Sequence, residues 1–144
     1  MSAGRKGFTL VEALVALALA GLFALGAAYA IAGLGPKLRL RSGIWEVTSG
    51  LNQARFRAIL SGVAVRVVFA DPGFRVEAYD ETAAEWHAYR TAFLAGVIVR
   101  ANNAPIFHPQ GTVSGLATIT VSNAAGAYRI TVAITGRIRT VRTG

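Results

Sequence analysis

Two groups of residues stand where charge has consequences. Glu12 is a lone carboxylate at the start of a long apolar run, and Arg137 and Arg139 lie two apart near the C-terminus, with Arg129 and Arg142 close by. A carboxylate carried into a membrane helix costs up to roughly 2.5–3.5 kcal/mol on insertion scales, less near the helix end, so Glu12 needs a partner. On a strand, Arg137 and Arg139 project from one face while Ile138 points to the other. Guanidinium forks suit phosphate oxygens and give salt-sensitive, sequence-independent contact with a polyanion. Arg129 and Arg142 are expected to extend that basic surface. The same residues would equally serve an edge strand protected by charge against edge-to-edge pairing.

Other reactive chemistry is sparse. The chain has no cysteine, which rules out a disulfide, a thiolate nucleophile and a thiolate metal ligand. His87 and His108 fall in different segments at no ligand spacing, so no metal site is expected. Glu77, Asp80, Glu81 and Glu85 form an acidic cluster between expected strands. Oxygen ligands of that kind suit calcium, but the spacing matches no calcium loop, and the cluster reads as a solvated loop. There is no G-x-S-x-G, no Walker A motif and no pair of carboxylates with a plausible cleft. The chain reads as a non-enzyme without a cofactor.

The elements that must hold these residues follow from hydropathy and period. The 144 residues carry a net charge of +8, and the mean hydropathy of +0.47 is high because residues 8–35 are almost wholly apolar. Residues 13–34 contain no charge, enough for a helix to cross a bilayer, which takes about 20 residues. Arg5 and Lys6 precede the run and place its N-terminal side in the cytoplasm. A plain anchor, or a secretory signal peptide cut at Ala28-Tyr29-Ala30, would explain the hydropathy. Neither gains anything from Glu12. Beyond Pro36, Leu40, Ile44, Val47, Leu51, Ala54 and Ala58 recur as one apolar stripe of a helix, with Lys37, Arg39, Arg41, Glu46, Gln53 and Arg57 largely outside it. Pro36, after Gly33-Leu34-Gly35, predicts a kink or break there, and Ser61-Gly62 predicts the helix end.

From residue 63 the period changes to two. Segments 63–70, 74–79, 86–93, 97–100, 116–122, 128–135 and 137–142 are rich in β-branched and aromatic residues. Asp71-Pro72-Gly73, Asn102-Asn103, Pro109-Gln110-Gly111 and Asn123-Ala124-Ala125-Gly126 are turn signals between them. The expected fold is α+β: a long N-terminal helix, half membrane-spanning and half amphipathic, packed on an antiparallel β head of two small sheets.

Gly7-Phe8-Thr9-Leu10-Val11-Glu12, between a short basic leader and an apolar helix, resembles the processing motif of type IV prepilins and type II secretion pseudopilins. The resemblance implies cleavage by a prepilin peptidase between Gly7 and Phe8. It also implies N-methylation of Phe8 and a pairing of Glu12 with the N-terminal amine of a neighbouring subunit. Opposite charges attract strongly in a low-dielectric setting, so this pairing would supply the partner that Glu12 requires. Phe107-x-Pro109-x-Gly111, followed by two β segments and Gly136-Arg137-Ile138-Arg139, resembles the GspH/FimT group of minor pilins and pseudopilins. The implied organisation is a leader at 1–7, a membrane and filament-core helix at 8–35, an amphipathic helix at 36–62 and a β head at 63–144. The implied partners are other pilins or pseudopilins, the peptidase, an inner-membrane assembly platform and membrane lipid. The implied place is the bacterial inner membrane, single-pass, with the head in the periplasm or on an extracellular filament. Two roles remain open at this point. One is an H-type minor pseudopilin of type II secretion; the other is a FimT-like minor pilin that binds DNA through G-R-x-R.

Overall fold

The computed structural model describes residues 9–144; Gly7 and Phe8, the expected cleavage site, lie outside the described residues. The chain divides into two compact units at Gly35 and Pro36.

The first unit contains helix α1, Leu10–Ala32. Its 23 residues reach about 35 Å at 1.5 Å per residue, more than the roughly 30 Å of a bilayer's hydrocarbon. Length and composition qualify the run to cross a membrane. Leu10, Val11, Val15, Leu19, Phe23 and Ile31 are all exposed, and at about 100° per residue they point around the whole circumference. A helix apolar on every side requires lipid or other helices around it. Gly33 ends α1, and α2 begins at Leu34. The break therefore falls at Gly33, the first residue of the expected Gly33-Leu34-Gly35-Pro36 stretch. Pro36 is the third residue of α2, where a missing N–H is one of those with no intrahelical acceptor.

The second unit is built around α2, Leu34–Ser61. The expected stripe faces inward: Leu40, Val47, Leu51, Ala54 and Ala58 are buried, and Ile44 packs beside them. Gly43 and Gly50 belong to the same buried face, which the apolar spacing did not show. A Cβ on Gly50 would meet the Phe74 ring at 2.5 Å, and one on Gly43 would meet Val97 Cγ2 at 3.0 Å. These two glycines let helix backbone and sheet side chains approach closely. α2 ends as expected, with Gly62 at φ +70° and its N–H bonded to Ala58 O at 3.1 Å.

Among the described residues, nine strands form two antiparallel sheets. The first contains β1 (Val65–Ala70), β2 (Gly73–Asp80), β3 (Glu85–Phe93), β5 (Ile106–Phe107) and β6 (Val113–Ser114), in the order β3-β2-β1-β5-β6. The second contains β4 (Ile98–Ala101), β7 (Ala117–Asn123), β8 (Gly126–Val132) and β9 (Ile138–Arg142), in the order β4-β7-β8-β9. Two-residue β5 and β6 escaped the sequence reading because two residues cannot display a period. Val65, Val67, Phe74, Val76 and Phe107 from the first sheet, and Val99, Ile119, Val121, Ile130 and Val132 from the second, close the core against α2. Asn123 ties the β7–β8 turn to the start of α2. Its Nδ2 donates to Pro36 O at 2.7 Å and to Gly96 O at 3.2 Å, while its Oδ1 accepts from Ala125 N–H at 2.8 Å.

The acidic cluster is not one solvated loop. Glu77 is buried in β2, paired with Arg66 at 2.5 Å and approached by Arg75 at 3.7 Å. The sequence reading placed it outside because an isolated Glu in a strand gives no sign of its cross-strand neighbour; Arg66 lies directly opposite in the register. Asp80 is the last residue of β2 and closes the β2–β3 turn. The backbone N–H groups of Ala83 and then Thr82 hold its carboxyl below the ordinary range, which makes it a turn residue.

Candidate functional site

At the N-terminal end of α1, Thr9 adopts extended backbone angles and its side-chain oxygen accepts the Glu12 N–H at 3.2 Å. This is one half of a capping box, Ser/Thr-x-x-Glu. The cap satisfies the backbone of Glu12, while its exposed carboxylate stands in the first helical turn, where the helix dipole favours a negative charge. The Thr-x-x-Glu spacing was present in the sequence and identifies Thr9 as the residue that starts the helix.

The arginines divide into two groups. In the second sheet, Ile130 and Val132 of β8 face the core, so Arg129 and Thr131 face outward. Thr131 is directly opposite Arg139, and Arg129 is opposite Val141. Arg129 and Arg139 therefore share the outer face. Arg137 precedes β9 and is not inside it, as the sequence reading expected. Its carbonyl accepts from Ala133 N–H at 2.9 Å, which continues the ladder one pair beyond the strand and keeps its side chain in phase with Arg139. Arg100 joins this face through Thr120, its partner on β7, which is itself opposite Arg129. Sequence reading missed Arg100, although its alternation with Val99 was legible, because strand order decides which strands share a face. Arg142 is separated from the others. It lies opposite Tyr128 and lines a cleft with Lys37, Leu40, Arg41, Ala125 and Tyr128 at the start of α2.

Charge balance sharpens the contrast. No Asp or Glu follows Glu85, whereas six arginines do. Among the described residues, the ion pairs involve Arg66, Arg75, His87 and Arg90. Arg137, Arg139, Arg129 and Arg100 therefore form an unneutralised edge and face.

Gly136, the first residue of Gly136-Arg137-Ile138-Arg139, has φ +74°. A Cβ there would meet both Arg55 Nε and Gly111 O at 2.8 Å. The two family-like motifs, Phe107-x-Pro109-x-Gly111 and Gly136-Arg137-Ile138-Arg139, thus meet at one junction under Arg55 of α2. Val113 N–H bonds to Ile134 O at 2.8 Å and joins the two sheets beside it. On the side of α2 away from the core, Leu38, Trp45, Phe56 and Leu60 are exposed. Uncovered aromatic and aliphatic side chains of this kind mark a contact surface.

The histidines stay apart. His87 approaches Asp80 at 3.9 Å, and His108 Nε2 shares a 2.8 Å hydrogen bond with Ser114 Oγ. Among the described residues, no three His, Cys, Asp or Glu side chains come together as metal ligands.

An all-round apolar helix that begins at a capped glutamate and leads into an α2–antiparallel sheet head defines a class: membrane-anchored, non-enzymatic filament subunits of the pilin and pseudopilin type. Residues 2–28 match the prokaryotic N-terminal methylation motif, and residues 45–136 match the type II transport protein GspH family. The chain belongs to that GspH family. It is similar in structure to the type IV minor pilin FimU of Pseudomonas aeruginosa, with 15% identity, a TM-score of 0.60, and coverage of 73% of this chain and 90% of the other. It is also similar to the minor pseudopilin EpsH from the type II secretion system of Vibrio cholerae, with 13% identity, a TM-score of 0.63, and coverage of 74% and 97%. No curated protein matches it in sequence.

Proposed function

We propose that this chain is the H-type minor pseudopilin of a type II secretion pseudopilus. Its precursor inserts with the basic leader inside and is cut by the prepilin peptidase between Gly7 and Phe8. Phe8 is then N-methylated, and the mature chain passes from the inner-membrane platform into a helical filament. Glu12 there meets the amine of a neighbouring subunit. The observation that carries this reading is the GspH family match over residues 45–136, which take in most of α2 and strands β1 to β8, behind a methylation motif at residues 2–28. The exposed carboxylate of Glu12 and the uncovered Trp45 and Phe56 supply contacts for neighbours. The test is deletion of the chain in its host. Release of folded exoproteins should fail and return with the wild-type chain. Undiminished release would remove the assignment.

A second reading is favoured by the outer face of the second sheet, where Arg100, Arg129 and Arg139 lie in register beside Arg137 with no carboxylate after Glu85. On this reading the chain is a FimT-like minor pilin that binds DNA for uptake. Detergent-solubilised full-length chain should then bind duplex DNA. Arg137→Gln/Arg139→Gln should lose most affinity and reduce the salt slope by about 0.9 for each phosphate that is no longer neutralised. No binding at low salt, or equal binding by the double variant, leaves these arginines as edge or subunit-contact residues.

A further inference from the structure

The cleft lined by Lys37, Leu40, Arg41, Ala125, Tyr128 and Arg142 takes no part in either reading above. Its volume is about 240 Å³, smaller than the usual ligand pocket of about 300–1,000 Å³ and suited to a headgroup-sized ligand. Three of its side chains are cationic. Lys37 and Arg41 come from the first turns of α2, and Arg142 comes from the far end of β9, a sequence separation that only the fold closes. Among the described residues, none of the three pairs with an Asp or Glu side chain. Like charges gathered around a cleft repel unless an anion enters it.

The site is held in place. Asn123 pins the β7–β8 turn to Pro36 O and Gly96 O, and so brings Ala125 and Tyr128 to the first turn of α2. Arg142 Nε donates to Gly144 O at 2.9 Å, which fixes the side chain beside the cleft. Tyr128 is half-buried against the core, and tyrosine is a residue that favours the membrane–water interface.

Chain connectivity identifies the anion. α1 ends at Ala32, five residues before Lys37. Five residues reach at most about 18 Å fully extended, so Lys37 stays within that reach of Ala32. Cations on the exported flank of a span oppose the usual insertion bias. Contact with phosphate there offsets that cost. We infer that Lys37, Arg41 and Arg142, together with Tyr128, bind the phosphate headgroup of an anionic phospholipid in the leaflet where α1 emerges. The inference rests on α1 being the membrane span. Its effect is to hold the head at the membrane surface before the subunit enters a filament.

The experiment uses full-length chain in neutral detergent, titrated with short-chain phosphatidylglycerol, short-chain phosphatidylcholine, glycerol phosphate and a duplex DNA oligonucleotide. Phosphatidylglycerol should bind at least roughly tenfold more tightly than phosphatidylcholine, given the attraction of each basic residue to anionic lipid. Lys37→Gln/Arg41→Gln/Arg142→Gln should abolish the preference, and the charge-conserving Lys37→Arg/Arg41→Lys/Arg142→Lys should keep it. Arg137→Gln/Arg139→Gln, on the opposite side of β9, should also keep it. Equal binding of the two lipids, or a preference that survives the triple Gln variant, overturns the site. Equal loss in the Arg137/Arg139 variant shows only general positive charge and overturns it too. Glycerol phosphate binding as tightly as the lipid, or DNA binding that the triple variant abolishes, assigns the cleft to another anion. Extraction of wild-type chain from membranes by alkaline carbonate would refute the span, and the lipid site with it.

Discussion

At Gly136 the backbone occupies a region that L side chains rarely adopt, and the space a side chain would need holds Arg55 Nε and Gly111 O. Gly136→Ala should therefore destabilise the head by about 2–4 kcal/mol, through backbone strain and overpacking together. A thermal melt of the full-length chain in detergent measures this, and an unchanged melt would dissolve the junction described above. Tyr89 makes a pH prediction. Its hydroxyl is buried without a hydrogen-bond partner, and burial raises its pKa above the ordinary 10.0 against the opposing charges of Arg57 and Arg90. A raised folded-state pKa contributes stability that is complete below the unfolded value and is lost as pH rises through the folded one. Wild type should therefore lose stability above pH 10 more steeply than Tyr89→Phe. At neutral pH, Tyr89→Phe should be neutral or slightly stabilising, because it removes a hydroxyl with no partner. Parallel denaturation curves from pH 7 to 11 compare the two. At this scale the sequence displayed Glu12, Arg137 and Arg139 correctly as charges in unusual places. It could not display the pairing of Glu77 with Arg66 or the role of Arg55, because those depend on neighbours far along the chain.

At the scale of the element, α2 was the most legible part of the chain. Its apolar stripe and its stop at Gly62 follow from a helical period and a backbone rule, both local. Its close seating on the sheets was hidden, because a glycine in a helix looks only like a weak helix former until the partner is seen. Gly50→Ala gains about 1 kcal/mol of helix propensity but drives a Cβ to 2.5 Å from the Phe74 ring in a filled core. So close an approach puts the cost in the upper part of the range of about 1–3 kcal/mol for overpacking, about 2–3, and the net result should be a loss of about 1–2 kcal/mol. Gly43→Ala meets Val97 at 3.0 Å, where a small shift suffices, and should remain within about 0.5 kcal/mol of wild type. Urea titrations of the two variants should rank them in that order; a Gly50→Ala variant as stable as wild type would show that Phe74 moves freely. The strands were legible where they are long and alternate. β5 and β6 were not, since two-residue pairings are created by β1 and by the sheet junction rather than by their own composition.

At the scale of the whole molecule, the chain is a subunit whose apolar helix α1 carries exposed large hydrophobic side chains among the described residues. A helix apolar on every side takes its stability from lipid or from other helices around it. Glu12→Val should be processed normally and retained in the membrane, yet enter sheared filaments at least roughly tenfold less, since tenfold corresponds to only about 1.4 kcal/mol and an ion pair in a low-dielectric setting exceeds that. Gly7→Val should prevent the appearance of mature chain beginning at Phe8. Normal filament yield in the first variant would remove the charge pairing, and mature chain in the second would move the cleavage site. The sequence by itself determined the apolar N-terminal helix, the amphipathic helix and the antiparallel head, because hydropathy, period and turn chemistry act over a few residues. Only the tertiary structure decided which charges act together. It set Arg100 beside Arg129 and moved Arg142 to the cleft at Lys37, because strand order and register bring distant residues onto one face, and a shift of a single residue sends a side chain to the other.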